Sequence, residues 1–269
     1  MLLVDIAILI TLGFLVGVIA SMTGMGGGTF IVPALTLVYL FTSQEAVGTS
    51  LAVIVFTSLT STYAYSRQRR IDYKMGAVLA VSTVPGAVLG AYMTTLVSSE
   101  LLAIVFSVFL IIVAFSMLNT FHVPFPKIVK KMKNWHRAVM DAEGKKFEYD
   151  TNIAVTFILS FFGGLSSGLL GIGGGAVLVP ILNIAAGIPI HITVATSMFI
   201  MIFTSVAGVL THLQLNNVRL EYSAYMAIGI IFGTQLGARL AKKTSGKLLK
   251  KIISLVMLVI SLRLLLNSI

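Results

Sequence analysis

No cysteine occurs in the 269 residues, which excludes disulfides and thiolate metal sites. Charge is nearly as scarce. Asp, Glu, Lys and Arg make up 10% of the chain, against roughly 25% in a soluble domain. None of them lies in the middle of a long apolar run; Asp5, Glu45, Glu100 and Glu221 all fall near run ends. That argues against a buried carboxylate proton relay and against capture of an anion by a fixed charge. A Walker A loop is missing too, because Gly246-Lys247 is followed by Leu248, so the chain is not expected to hydrolyse ATP.

What remains is oil. Apolar residues make up 57% of the chain, with a mean hydropathy of +1.01. Long apolar runs fall near 2–20, 29–41, 46–65, 75–97, 100–118, 150–168, 176–187, 193–213, 222–240 and 248–266. A helix needs about 20 apolar residues to span a bilayer, so most of these are long enough, whereas 29–41 and 176–187 are short. The first run has Asp5 and no basic leader, and reads as a retained helix rather than a cleaved signal. The expected class is an all-α membrane protein of the cell membrane.

Basic residues orient the spans. Arg67, Arg69, Arg70 and Lys74 lie between the third and fourth runs. Lys127, Lys130, Lys131, Lys133, Arg137, Lys145 and Lys146 lie in the central loop. Arg239, Lys242, Lys243, Lys247, Lys250 and Lys251 surround the last connection, leaving only Arg219 and Arg263 elsewhere. With those three regions in the cytoplasm every span alternates without conflict and both termini face outside. The net charge of +10 is then orientation charge, not a nucleic-acid surface.

The chain repeats itself at an offset of 147 residues. Gly24-Met25-Gly26-Gly27-Gly28 falls on Gly171-Ile172-Gly173-Gly174-Gly175, Pro33 on Pro180, Thr49-Ser50 on Thr196-Ser197, and Phe56-Thr57-Ser58 on Phe203-Thr204-Ser205. Each copy holds about five apolar segments. An odd number inserts the second copy upside down, so the expected architecture is two inverted-topology repeats with glycine-broken short helices. The expected division is 1–118 for the first repeat, 119–149 for a cytoplasmic linker and 150–269 for the second. In the linker, Phe125, Ile128, Val129, Met132, Trp135 and Val139 follow helical spacing among basic residues, which predicts an amphipathic segment on the leaflet surface.

The glycine clusters carry the strongest chemical signal. Four glycines in five residues cannot hold a helix cheaply, and broken backbone survives in lipid only against protein or a wet cavity. A helix restarting after the break offers free N–H groups and a positive dipole end to an anion. The competing reading is tight helix crossing. The expected binding set is Gly24, Gly26, Gly27, Gly28 and Thr29 with Gly171, Gly173, Gly174 and Gly175. Hydroxyls of Thr49, Ser50, Thr196 and Ser197 are expected to join them, as donors that bring no fixed charge; interhelical hydrogen bonding is their bland alternative. Asn183 is a further candidate, or it satisfies a neighbouring carbonyl. Thr57, Ser58, Thr204 and Ser205 share the helical face with less claim to a ligand. His191 and His212 read as interfacial residues.

Other patterns fail on context. Gly171 to Ala176 fits a dinucleotide fingerprint, yet no acidic residue occurs between Asp150 and Glu221 to hold a ribose. Gly164-Leu165-Ser166-Ser167-Gly168 fits a hydrolase elbow but lies in a membrane run. No catalytic residue, metal site or cofactor is expected. Gly86-x-x-x-Gly90 and Gly229-x-x-x-Gly233-x-x-x-Gly237 read as close-packing faces.

The paired Gly-x-Gly-Gly-Gly…Pro blocks at 24–33 and 171–180, with Thr-Ser downstream of each, resemble the sulfite exporter TauE/SafE family over nearly the whole chain. The resemblance implies a multi-pass permease for sulfite, sulfonates or related organosulfur anions, usually assigned to export. The partners expected are a small anion and the bilayer, with no nucleic acid; a homo-oligomer stays open. An anion channel would share the pore but could not drive uphill flux. A membrane accessory subunit would need no polar face, and an intramembrane enzyme lacks a catalytic constellation.

Overall fold

The computed structural model describes residues 3–96, scattered positions between 98 and 115, and 134–266. The run expected at 100–118 and the 119–133 part of the linker lie largely outside the described residues. Within them the chain is an all-α, multi-pass membrane protein with one small sheet. Helices α1 (Leu3–Thr23), α2 (Gly28–Val38), α3 (Ser43–Arg67) and α4 (Tyr73–Met93) are followed by strands β1 (Trp135–Met140) and β2 (Lys146–Thr151). Then come α5 (Ile153–Leu170), α6 (Gly175–Pro180) with a π turn at Ile181–Ala185, α7 (Ile190–Gln214), α8 (Leu220–Lys243) and α9 (Gly246–Leu266). Six of them, α1, α3, α4, α5, α7 and α8, are long and apolar enough to cross a membrane.

Local chemistry sets several boundaries. Thr42 and Glu45 form a reciprocal capping box at the start of α3, and Asn152 caps α5 through Val155 N–H. Both short helices start at a glycine held left-handed, Gly27 (φ 88°) and Gly174 (φ 75°), a conformation that side chains resist. Pro180 ends α6 and the backbone continues as a π turn; a ring without N–H cannot continue the regular ladder.

The most extensive packing joins one half of the chain to the other, as α1 against α8 and α4 against α5. A Cβ added at Gly229, Gly233 or Gly237 would strike the carbonyl oxygens of Ile10, Phe14 or Val18. One added at Gly86 or Gly90 would strike those of Phe161 or Leu165. Partner numbers rise in step, so both pairs run parallel with backbones in contact, as small residues permit in membranes. At the 147-residue offset, Phe14 and Val18 are the mates of Phe161 and Leu165, so the two interfaces are copies of each other.

Between these pairs lie α3 and α7, antiparallel. The Asp72 N–H, just past the end of α3, donates to Thr196 Oγ1 in the second turn of α7 at 3.1 Å. The Arg219 N–H, just past the end of α7, donates to Thr49 Oγ1 in the second turn of α3 at 3.0 Å. These are also mates. Buried Tyr65 donates its hydroxyl to Ser21 O (2.7 Å), and its mate His212 sets Nε2 3.0 Å from Gly168 O.

The linker departs from the expected helix. Trp135 and Val139 belong to a strand, paired antiparallel with β2 in the register Trp135↔Thr151 and Val139↔Phe147. Strand β2 shows why: Phe147, Tyr149 and Thr151 are buried and alternate with exposed residues, a period of two that the apolar spacing of β1 hides. Asp141 closes the turn by accepting from the N–H groups of Glu143 and Lys145, with Gly144 left-handed.

The interlocked glycines set a test. Gly237→Leu should lower the thermal midpoint of detergent-purified protein steeply, because the new side chain meets backbone that cannot repack. Gly144→Ala meets nothing within 4 Å and should cost only about 1 kcal/mol of left-handed strain. Equal midpoints for the two variants would contradict this packing.

Candidate functional site

The two glycine loops meet in the middle of the molecule. A Cβ on Gly28 would strike Gly171 O, and one on Gly175 would strike Gly24 O. The loop residues Gly24, Gly26, Gly27, Gly171, Gly173 and Gly174 all have positive φ. The helical ladder resumes only at Phe30 and Val177, which donate to Gly27 O and Gly174 O. Among the described residues no partner takes the N–H groups of Gly26, Gly27, Gly28 and Thr29, nor those of Gly173, Gly174, Gly175 and Ala176. The Thr29 hydroxyl is buried beside them, also without a partner.

The Thr-Ser pairs reach these loops crosswise. Ser50 Oγ donates toward Gly171 O (2.6 Å) and Val47 O (2.8 Å). Ser197 Oγ donates toward Gly24 O (3.0 Å) and Val194 O (2.9 Å). Each serine of one half therefore satisfies a broken-ladder carbonyl of the other. Thr49 and Thr196 accept the loop amides described above, which leaves each hydroxyl proton available to a further acceptor. All four side chains are fully buried.

Two apolar residues that sequence reasoning passed over stand where the loops converge. Ile54 and Met201 are each the twelfth residue of a 25-residue helix, and each is wholly buried. A Cβ on Gly173 would lie 2.8 Å from Met201 Cε and 2.9 Å from Ile54 Cγ2; one on Gly26 would overlap the same Met201 methyl. The only sequence signal was their offset, since 54 and 201 are mates without any polar mark. Gly27 and Gly174 face elsewhere, toward Val16 and Ala20 of α1 and toward Gly163 and Ser167 of α5.

Other candidates have local work. The Asn183 amide donates to Ile188 O at 2.7 Å and holds the end of the π turn, so it satisfies a carbonyl. Thr57, Ser58, Thr204 and Ser205 bond back to carbonyls of their own helices. Among the described residues no group of three or more His, Asp or Glu could hold a metal ion.

The two ends of the α3–α7 core differ. At the start of α3 and of α8 a cleft of about 660 Å³ opens, lined by Tyr39, Phe41, Glu45, Arg219 and Tyr222. Arg219 Nε and Nη2 both donate to Glu45 Oε1, at 3.0 and 2.6 Å. About 37 Å away along the 25 residues of α3, the hairpin straps the opposite end. Arg137 grips Asp72 through Nε (2.9 Å) and Nη2 (2.7 Å), and Tyr149 donates its hydroxyl to Asp72 Oδ2 at 2.8 Å. Arg70 pairs with Asp141 at 3.1 Å, and Lys242 of α8 with Glu143 at 2.7 Å. Asp72 and Arg219 are mates of opposite charge, and each donates its own N–H to a buried threonine, Thr196 and Thr49. Burial pushes the Asp72 carboxyl up, but Arg137, the Met75 N–H and Tyr149 outweigh it and hold it below the usual carboxylate range. Burial and the Asp72 carboxylate push the Tyr149 phenol well up.

The chain is similar in sequence to known proteins. The chain matches the family described as sulfite exporter TauE/SafE over residues 9–264. It is 35% identical over 269 residues to the probable membrane transporter protein YunE of Bacillus subtilis, covering 97% of this chain and 98% of that one. A probable membrane transporter protein of Methanocaldococcus jannaschii is 30% identical, with 96% and 95% covered. Sulfite exporter TauE/SafE family protein 6 of Arabidopsis thaliana is 29% identical over 107 residues, 40% of this chain and 25% of that one. No solved structure gives a significant match.

The strap has a pH signature. A carboxyl whose pKa is depressed on docking contributes stability that is fully present above its free value and is lost as pH falls through the docked one. Hairpin docking should therefore hold at neutral pH and weaken as acid protonates Asp72. Arg137→Ala should weaken it already at neutral pH, by on the order of 3 kcal/mol for a broken buried pair. Amide exchange at 135–151 reads both effects. Exchange indifferent to acid and to the variant would show that these bonds do not hold the hairpin.

Proposed function

We propose that this chain, which belongs to the sulfite exporter TauE/SafE family, is a secondary transporter that carries a small organosulfur anion, sulfite or a sulfonate, out across the cell membrane. The observation that carries the reading is the meeting of two glycine loops, with unpartnered N–H groups, at the midpoints of antiparallel α3 and α7. A sulfur oxyanion spreads its charge over several oxygens and needs several donors. Loop amides near Gly26–Thr29 and Gly173–Ala176, with the protons of Thr49 and Thr196, supply them without a buried cation. That suits release as well as capture, because charge-assisted hydrogen bonds are roughly twice as strong as neutral ones without being permanent.

We read the halves, 1–118 and 150–269, as inverted repeats around this point, joined by the 119–149 linker. The antiparallel mates α3 and α7 support it, as do the mated bonds at both their ends. The hairpin end is the cytoplasmic one and both termini face outside. Arg67, Arg69, Arg70, Lys74 and Lys242 gather at that end, whereas Arg219 stands at the cleft end. A carrier is favoured over a channel because the cleft opens at one end while the strap closes the other.

Reconstituted protein should move sulfite or a short alkylsulfonate into vesicles, with uphill flux driven by a counter-gradient. Thr49→Val and Thr196→Val should each weaken half-saturation by about 1–3 kcal/mol, the range for a lost hydrogen bond to a charged ligand. Flux that only follows the gradient downhill would favour the channel. Wild-type affinity in both variants, at equal folded protein, would place the site elsewhere.

A further inference from the structure

We propose that Ile54 and Met201 form the gate of the transport site, an apolar pair that fills the space between the glycine loops and sets the size of anion admitted. The proposal rests on the transport reading above and deepens it. Polar groups stand close to these two side chains, which themselves belong to the buried apolar core with Met25, Leu51 and Ile172: loop amides without partners among the described residues, the unpartnered Thr29 hydroxyl, and the crosswise serines one turn away at Ser50 and Ser197. Yet the space itself holds hydrocarbon. A Cβ on Gly175 would lie 2.8 Å from Met201 Sδ, and one on Gly28 would lie 2.8 Å from Ile54 Cδ1, so the pair touches glycines of both loops.

An anion cannot reach the amides until this hydrocarbon moves. Until then it excludes water, as a constriction that closes by dewetting does. The two residues are unequal. Isoleucine is β-branched and stiff at χ1, whereas methionine is unbranched, with three rotatable bonds. Met201 is therefore the mover and Ile54 the fixed jaw. The width opened by swinging one thioether limits the anion. Both stand halfway along their helices.

The natural absence of cysteine makes the test direct. Ser197→Cys puts a thiol of nearly unchanged shape one turn from Met201, on the strap side of the pair and so behind the gate as entered from the open cleft. In that background a charged, water-soluble thiol reagent should label slowly, and adding Met201→Ala should raise the labelling rate at least tenfold. Adding the stiffer, volume-matched Met201→Leu should leave labelling slow; it also serves as a fold control if the alanine variant is unstable, because it should slow sulfite flux several-fold. In vesicles Met201→Ala should raise the flux of a bulky arylsulfonate relative to sulfite several-fold. Labelling indifferent to both substitutions in folded protein overturns the gate, whatever the substrate. Gated labelling with no flux of any sulfur oxyanion keeps the gate and overturns the substrate reading instead.

Discussion

Inside a bilayer no water satisfies a backbone group, so every N–H and C=O must find a partner in the protein. This chain breaks its helical ladder twice where its two halves meet in the middle of the molecule, and the rest of the structure answers for those breaks. The carbonyls freed at Gly24 and Gly171 are taken by Ser197 and Ser50, each from the opposite half of the chain. Neither half can therefore close its own break. The same mutual dependence appears in the glycine faces that press α1 onto α8 and α4 onto α5, carbonyl against Cα. Among the described residues the amides released by the breaks have no such partner, and that imbalance between satisfied carbonyls and unsatisfied amides is what supports the proposed anion site.

The two halves share the serine-to-carbonyl bonds at the glycine loops and the amide-to-threonine bonds at the ends of α3 and α7, and differ in the side chains beyond them. Asp72 and Arg219 occupy equivalent positions and each offers its N–H to a buried threonine. Their side chains recruit different partners. Asp72 draws in Arg137 and Tyr149 of the hairpin. Arg219 is answered by Glu45 within the bundle, and the space beside it stays open.

Much of this was legible in residues. Apolar runs found nine helices among the described residues to within a few positions, because hydrophobic length is a strong signal. The 147-residue offset linked Thr49 to Thr196 and Gly24 to Gly171, and in the structure each member has the equivalent partner: Arg219 and Asp72 amides for the threonines, Ser197 and Ser50 hydroxyls for the glycine carbonyls. Their partners were harder to read. Ser50 was expected to face a ligand and instead caps a carbonyl 121 residues away, a long-range pairing that no local pattern records. Asn183 serves its own turn. The hairpin was mistaken for helix because the apolar positions 135 and 139 fit a helical period, while the deciding alternation lies in β2 at Phe147, Tyr149 and Thr151. Ile54 and Met201 carry no chemical mark; position alone gives them meaning.

The central claim is that the loop amides receive the anion, and amide hydrogen exchange of the reconstituted protein with and without sulfite measures it directly. Peptides covering Gly26–Thr29 and Gly173–Ala176 should slow together at saturating sulfite, while the glycine faces of α8 at Gly229–Gly237 should not change. Protection confined to one loop, or appearing only at the Tyr39–Glu45 cleft, would contradict a shared site between the two halves.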